Sequence, residues 1–251
     1  MQMKPAPHKA LPAGVVPIAA LDLVSVTVEK LINRHAGLPG IGVLYGPPGR
    51  GKSMAAGAMV MAYRAYYIQV ANAWRVKPML QKILLEMRVA IPKKCRTEAD
   101  LLDLVSSQLA ASRRPLILDE ADRLVAKEAM IETVRDIFEM SRAPILLVGS
   151  DDLRTDLRNY PTTHSRVRSW VPAQPVTLAD AAKLATVYAP GIQIAADLLE
   201  EIVDRVAGSV RYTCVNLERV LDEAMVMGED VMDLARWGDR PIYNDETEGE
   251  A

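Results

Sequence analysis

The sequence predicts an α/β fold, a parallel sheet sandwiched by helices, followed by a smaller all-helical region. Three observations carry that prediction. The runs Ile41-Gly-Val-Leu-Tyr45, Pro115-Leu-Ile-Leu-Asp119 and Pro144-Ile-Leu-Leu-Val-Gly149 are almost continuously apolar, as strands buried on both faces are. Segments with apolar residues at helical spacing separate them, which is what parallel neighbours need for their crossovers. After Pro172 and Pro175, which interrupt any last strand, only helical patterns follow.

The chain has 251 residues, enough for one α/β domain with a small appendage. Half of it is apolar, a quarter is charged and the net charge is −2, so no global positive field announces nucleic acid and any basic surface must be local. Cys95 and Cys214 have no paired spacing, and His8, His35 and His164 are scattered, so neither a disulfide framework nor a zinc site is indicated. No apolar run is long enough for a membrane span, and no signal-peptide core is present, which points to the cytoplasm and to no membrane partner.

In chain order, residues 1–18 are proline-rich and are expected to form an extended arm. Leu21, Val24, Val28, Leu31 and Ile32 mark the buried stripe of a first helix, with Gly37 a plausible stop. Residues 54–61 are nearly all apolar or small, so this helix should be covered on several sides. Residues 65–70, rich in aromatic and β-branched types, read as a strand. Thr97 and Asp100 form a capping box whose helix buries Leu101, Leu104, Val105 and Leu109. A further helix spans about 126–141, with Met130, Val134, Ile137 and Phe138 inward. Thr177 and Asp180 make a second capping box, which opens three helices ending near 190, 207 and 227. The expected division is an arm at 1–18, an α/β domain at 19–175, a three-helix lid at 176–228 and an acidic, disordered tail at 229–251.

Between the first strand and the helix after it stands Gly46-Pro-Pro-Gly-Arg-Gly-Lys-Ser53, a phosphate-binding loop pattern in its proper context. Glycines let successive N–H groups turn toward an anion, and the following helix adds the positive end of its dipole. Gly46, Pro47, Pro48, Gly49, Arg50, Gly51, Lys52, Ser53 and Met54 are therefore the candidate nucleotide-binding residues. Lys52 is placed to reach the β- and γ-phosphates of ATP, and Ser53 to hold Mg²⁺. Asp119 and Glu120 end an apolar strand: the first can position Mg²⁺ through water, the second can polarise an attacking water as general base. Ser150 ends the next strand, and in a parallel sheet these strand ends converge.

One segment departs from the charge balance of the rest. From Trp74 to Arg96, seven cations, Arg75, Lys77, Lys82, Arg88, Lys93, Lys94 and Arg96, face the single acid Glu86. Leu80, Ile83, Leu84 and Met87 form the buried stripe of the helix, leaving the cations to project elsewhere. Such a patch suits phosphate-backbone contact with duplex DNA, though a merely solvated face has the same composition.

Taken together, the phosphate loop, the LILDEAD strand, the LLVGS strand, an arginine cluster and a three-helix region opening GSVR resemble the AAA+ ATPases over about residues 20–227. In that resemblance GPPGRGKS looks like Walker A, LILDEAD like Walker B, Ser150 like the sensor 1 position, where Asn or Thr is more usual, and Arg211 like sensor 2. The short lid, the LLVGS strand and the stretch with His164-Ser-Arg166 look most like the DNA-transposition group typified by phage Mu B, TniB and IstB.

The resemblance implies ATP-dependent assembly of a homo-oligomer on DNA without sequence preference, with target DNA presented to a transposase. It also implies an arginine finger acting on the neighbouring subunit's site, Arg166 or Arg168 with Arg166 favoured, and a DNA-lining role for Arg75, Lys77 and Lys82. Replication initiators, helicase loaders and purely protein-directed switches share the same core and stay open as alternatives.

Overall fold

The computed structural model describes residues 16–244. In chain order the elements are α1 (Ala19–Ile32), β1 (Ile41–Tyr45), α2 (Lys52–Tyr63), β2 (Tyr66–Gln69), α3 (Val76–Glu86), α4 (Glu98–Ser112), β3 (Leu116–Asp119), α5 (Asp122–Val125), α6 (Glu128–Ser141) and β4 (Ile145–Gly149). They continue with α7 (Leu153–Asp156), α8 (Pro161–His164), β5 (Val167–Pro172), α9 (Leu178–Tyr188), β6 (Gln193–Ile194), α10 (Ala196–Arg205), α11 (Val210–Met227), β7 (Val231–Met232) and α12 (Leu234–Trp237). The described residues form two compact units. One comprises residues 23–46 and 53–172, the other residues 16–22, 47–52 and 173–244.

The first unit is built on a five-stranded sheet in the order β2-β3-β4-β1-β5, with every pair parallel. The continuous apolar runs explain it, because successive side chains point to opposite faces and both faces here are covered. Ile41, Val43, Leu116, Leu118, Ile145 and Leu147 belong to one core with Leu80 and Ile83 of α3, Leu101 and Val105 of α4, and Val134 and Phe138 of α6. The residues between them, such as Leu44, Ile117, Leu146 and Val148, are equally buried. On that second face Gly42 leaves room for α1, since a Cβ there would stand 2.9 Å from Leu31 and 3.5 Å from Thr27. The capping box at Thr97 forms as expected, with the Thr97 hydroxyl accepting from the Asp100 N–H at 3.1 Å. Trp74 packs against the core rather than standing free.

The helix expected over about 126–141 is α6, Glu128–Ser141, preceded by the short α5 ending at Val125. Two expectations change in this unit. Helix α2 is not covered on several sides, because Met54 and Met61 are about two-thirds exposed while Ala55, Ala56, Ala58, Met59 and Ala62 are buried. Small residues let one side pack closely, and the flexible methionines take the other. The polar stretch after Ser150 contains β5, which pairs with β1 up to Tyr45↔Pro172. Only Val171 in it is fully buried, so an edge strand showed none of the apolar continuity that marked its neighbours.

The second unit has a helical core made by Ala181 and Leu184 of α9, Leu198 and Ile202 of α10, and Leu217, Val220 and Ala224 of α11. The Thr177 capping box forms, and Asp180, almost fully buried, also accepts the Ala19 N–H at 3.0 Å. The acidic tail expected from residue 229 is structured to Asn244. β7 pairs with β6, Trp237 is 1% exposed, and its indole N–H donates to the Arg240 carbonyl at 2.9 Å. The buried Asn216 of α11 holds the chain beyond it, donating to the Tyr243 carbonyl and accepting the Tyr243 N–H, both at 2.8 Å. Residues 1–15, most of the expected arm, and 245–251 lie outside the described residues.

Leu147 is wholly buried at the centre of β4. Leu147→Ala is expected to lower the unfolding free energy by about 2–5 kcal/mol in chemical denaturation. A loss below about 1 kcal/mol would contradict the packing described.

Candidate nucleotide site

In the first unit the register sets the ends of β1, β3 and β4 side by side, with Tyr45 opposite Gly149 and Leu118 opposite Leu147. Gly46, the Asp119–Glu120 pair and Ser150 therefore emerge at one edge of the sheet, its carboxyl edge, as the sequence predicts. Ser53, near the start of α2, belongs to the same unit.

Asp119 is 3% exposed. A carboxylate so buried must be hydrogen-bonded to persist as a charge. Its Oδ2 accepts from the Tyr67 hydroxyl at 2.6 Å and its Oδ1 accepts the Glu120 N–H at 2.9 Å. Burial, with Asp119 and then Glu120 next to it, pushes the Tyr67 phenol well above its ordinary range, so it stays protonated and donates.

Glu120 has φ +57°, in the left-handed region that non-glycine residues rarely occupy. Such backbone outliers collect at functional sites. Its carboxylate lies 3.5 Å from the Arg123 guanidinium. Both side chains are about 40% exposed, which makes the pair weak in energy but directional in effect. Arg123 also donates to the Val70 carbonyl at 2.6 Å, and Lys127 donates to the carbonyls of Asn72 and Trp74, so the loop after β2 is held by two cations from the region following Glu120.

Ser150 is fixed by Asp122. The carboxylate accepts the Ser150 N–H at 2.9 Å and its hydroxyl at 2.6 Å. With its proton committed there, the Ser150 oxygen presents lone pairs, so it would take a hydrogen bond from a water rather than give one to a phosphate. Gly149 makes room for this arrangement, since a Cβ there would stand 2.6 Å from Asp122 Oδ2.

In the second unit, residues 47–52 of the loop are seated on the turn between α10 and α11. Gly49 (φ +78°) and Gly51 (φ +75°) turn the chain through the left-handed region. The Gly49 carbonyl accepts the Arg211 N–H at 3.1 Å, and the Arg50 guanidinium donates to the Gly208 carbonyl at 3.1 Å. A Cβ on Gly49 would stand 2.5 Å from the Ser209 hydroxyl, which caps α11. Lys52 Nζ donates to the Pro47 carbonyl at 2.6 Å. Arg211 lies exposed in the first turn of α11.

The two finger candidates differ. Arg166 pairs with Glu139, which also pairs with Arg142, and donates to the Ser165 hydroxyl at 3.1 Å. Arg168 is exposed on β5, and among the described residues no carboxylate pairs with it. In the basic segment Arg75, Lys77 and Lys82 are all exposed, and among the described residues none of its seven cations pairs with a carboxylate. Lys77 donates to the Arg96 carbonyl at 2.9 Å, which ties the start of α3 to the loop before α4.

Ser53 and Asp119 offer a hydroxyl and a carboxylate, hard oxygen donors suited to Mg²⁺, which takes one or two protein ligands and completes its shell with phosphate and water. No cluster of three or more His, Cys, Asp or Glu able to hold a metal by itself occurs among the described residues. Nor is any described helix long and apolar enough to cross a membrane. Tyr67, Asp122 and Arg123 were missed in the sequence. Only for Asp122 was there a signal, its place in the LILDEAD run three residues after Asp119.

A family model described as an AAA domain matches residues 35–157. No curated protein sequence matches the chain. Among solved structures, the Aeropyrum pernix ORC2 protein in ADPNP–ADP complexes is similar with a TM-score of 0.67 and 19% identity over 90% of this chain and 68% of that one. The A. pernix ORC1 protein in complex with DNA gives 0.60 and 16%, over 92% of this chain and 64% of that one. The Thermotoga maritima RuvB Holliday junction branch migration motor gives 0.59 and 19%, over 86% and 65%. The chain thus spans about two thirds of their length. The fold, an α/β sheet flanked by helices with a small helical C-terminal part, is that of the P-loop AAA+ ATPases.

Asp122→Ala removes the acceptor of both Ser150 donors and is expected to cost about 1–3 kcal/mol of stability in urea unfolding. Ser150→Ala, which deletes only the hydroxyl, should cost less. The reverse order would contradict the role given to Asp122.

Proposed function

We propose that the protein is an ATP-dependent, oligomerising DNA-binding ATPase that regulates DNA transposition by presenting target DNA to a transposase. The observation that carries the ATPase part is the placing of Gly46, Asp119, Glu120 and Ser150 at the carboxyl edge of one parallel sheet. The AAA domain match over residues 35–157 supports it.

Residues 46–54 bind ATP, with Lys52 on the β- and γ-phosphates and Arg211 as the lid arginine. Ser53 and Asp119 would hold Mg²⁺, which when bound would neutralise phosphate charge. Glu120 accepts the proton of the attacking water, and Ser150, its own proton held by Asp122, accepts a second hydrogen bond from that water. A neighbouring subunit completes the site with an arginine. Arg166 must leave Glu139 to serve, whereas Arg168 need not, which shifts the preference to Arg168.

The exposed cations of the segment 75–96, unpaired with carboxylates among the described residues, support the DNA reading. Their role is to neutralise backbone phosphates without reading bases. The transposition role rests on the sequence resemblance. A second reading, a replication initiator or helicase loader, is favoured by the likeness to the ORC structures, one of them in complex with DNA.

Two outcomes are expected. Lys52→Ala abolishes ATP-dependent DNA binding, while Glu120→Gln keeps binding and slows hydrolysis by about a hundredfold or more, measured by phosphate release; a Glu120→Gln protein hydrolysing at the normal rate overturns the base assignment. Neutralising Lys77 and Lys82 to Gln lowers the slope of log affinity against log salt by about 2 in fluorescence anisotropy with duplex DNA. An unchanged slope removes the DNA role of α3.

A further inference from the structure

Tyr67 is a buried-side polar group at the candidate metal site that the proposed reaction leaves without a task. On β2 it pairs with Ile117, and Gln69 pairs with Asp119. Tyr67 and Asp119 therefore share one face of the sheet on adjacent strands, diagonal to one another, a separation that a long aromatic side chain can span. The phenol does so, and its hydroxyl donates to Asp119 Oδ2 at 2.6 Å. Asp119, assigned to the metal, thus meets a phenol from the adjacent strand.

The order of protons along this row has a chemical consequence. A carboxylate that holds a metal-bound water must keep one oxygen lone pair free and its plane fixed. The phenol proton on Oδ2 and the Glu120 N–H on Oδ1 fix the plane while leaving each oxygen further acceptor capacity.

We propose that Tyr67 is a positioning residue for Mg²⁺, orienting the lone pairs of Asp119 toward the bound nucleotide's cation. This rests on the reading of Asp119 as a metal residue. Partners of this kind, one shell beyond the metal, typically contribute ten- to a hundredfold in metal affinity.

The test is the Mg²⁺ dependence of nucleotide binding by the full chain, followed with a fluorescent ATP analogue in wild type and Tyr67→Phe, with EDTA as the metal-free reference. Tyr67→Phe is expected to need about tenfold more Mg²⁺ to reach half of its metal-dependent gain, with affinity in EDTA unchanged within about twofold. Tyr67→His, whose ring N–H can still donate, should recover part of the shift, which a defect of packing alone would not allow. The proposal is overturned if the Mg²⁺ midpoint of Tyr67→Phe matches wild type, or if binding in EDTA falls equally. A double substitution supplies a second measure: with Asp119→Asn already present, Tyr67→Phe should add little further shift, and full additivity overturns the proposal. Wild-type binding that ignores Mg²⁺ would overturn the metal reading and this proposal together, whereas a wild-type Mg²⁺ response unaffected by Tyr67→Phe would overturn the proposal alone.

Discussion

The constraint on which the first unit depends is the buried carboxylate of Asp119. It ends a strand with no exposed residue, and water reaches only 3% of its surface. A charge in that position needs dedicated donors. Tyr67 supplies one from the adjacent strand and the Glu120 N–H supplies the other. The second donor has a conformational cost, since Glu120 occupies the left-handed region at φ +57°. Burying Asp119 and exposing Glu120 are thus one arrangement: the backbone turn that gives Asp119 its second hydrogen bond also carries the Glu120 side chain out to where it is 40% exposed.

The phosphate loop meets a different requirement in the second unit. Its glycines at 49 and 51, both at positive φ, let the chain lie close to the start of α11, where Ser209 leaves no room for a side chain on Gly49. The bonds from Arg211 to Gly49 and from Arg50 to Gly208 run in opposite directions across that contact. Arg211 is therefore set by main-chain geometry that the loop itself supplies, and any change in residues 49–51 would be felt there.

Much of the fold was legible in sequence because its signals are local. The continuous apolar strands, the capping boxes at Thr97 and Thr177 and the bounds of α11 each follow from neighbouring residues. What escaped was set by partners far along the chain. β5 mixes polar and apolar residues without an apolar run and exists because β1 offers it an edge. Residues 231–244 fold because Asn216, more than a dozen residues earlier, donates to and accepts from Tyr243. In the site, the loop, Asp119, Glu120 and Ser150 were visible as motif positions. Tyr67 was not, and Asp122 was visible only as the end of the LILDEAD run, since their parts depend on strand register and on a glycine without a Cβ at 149. Arg166 looked available in the sequence until Glu139 was found beside it.

In the proposed function, nucleotide in this loop governs assembly on DNA. Electron microscopy of the full chain with duplex DNA, with and without ATP, is the decisive test. Ordered oligomers along the DNA with ATP and none without it are the predicted result. Particles of the same size and the same DNA occupancy in both conditions would contradict it.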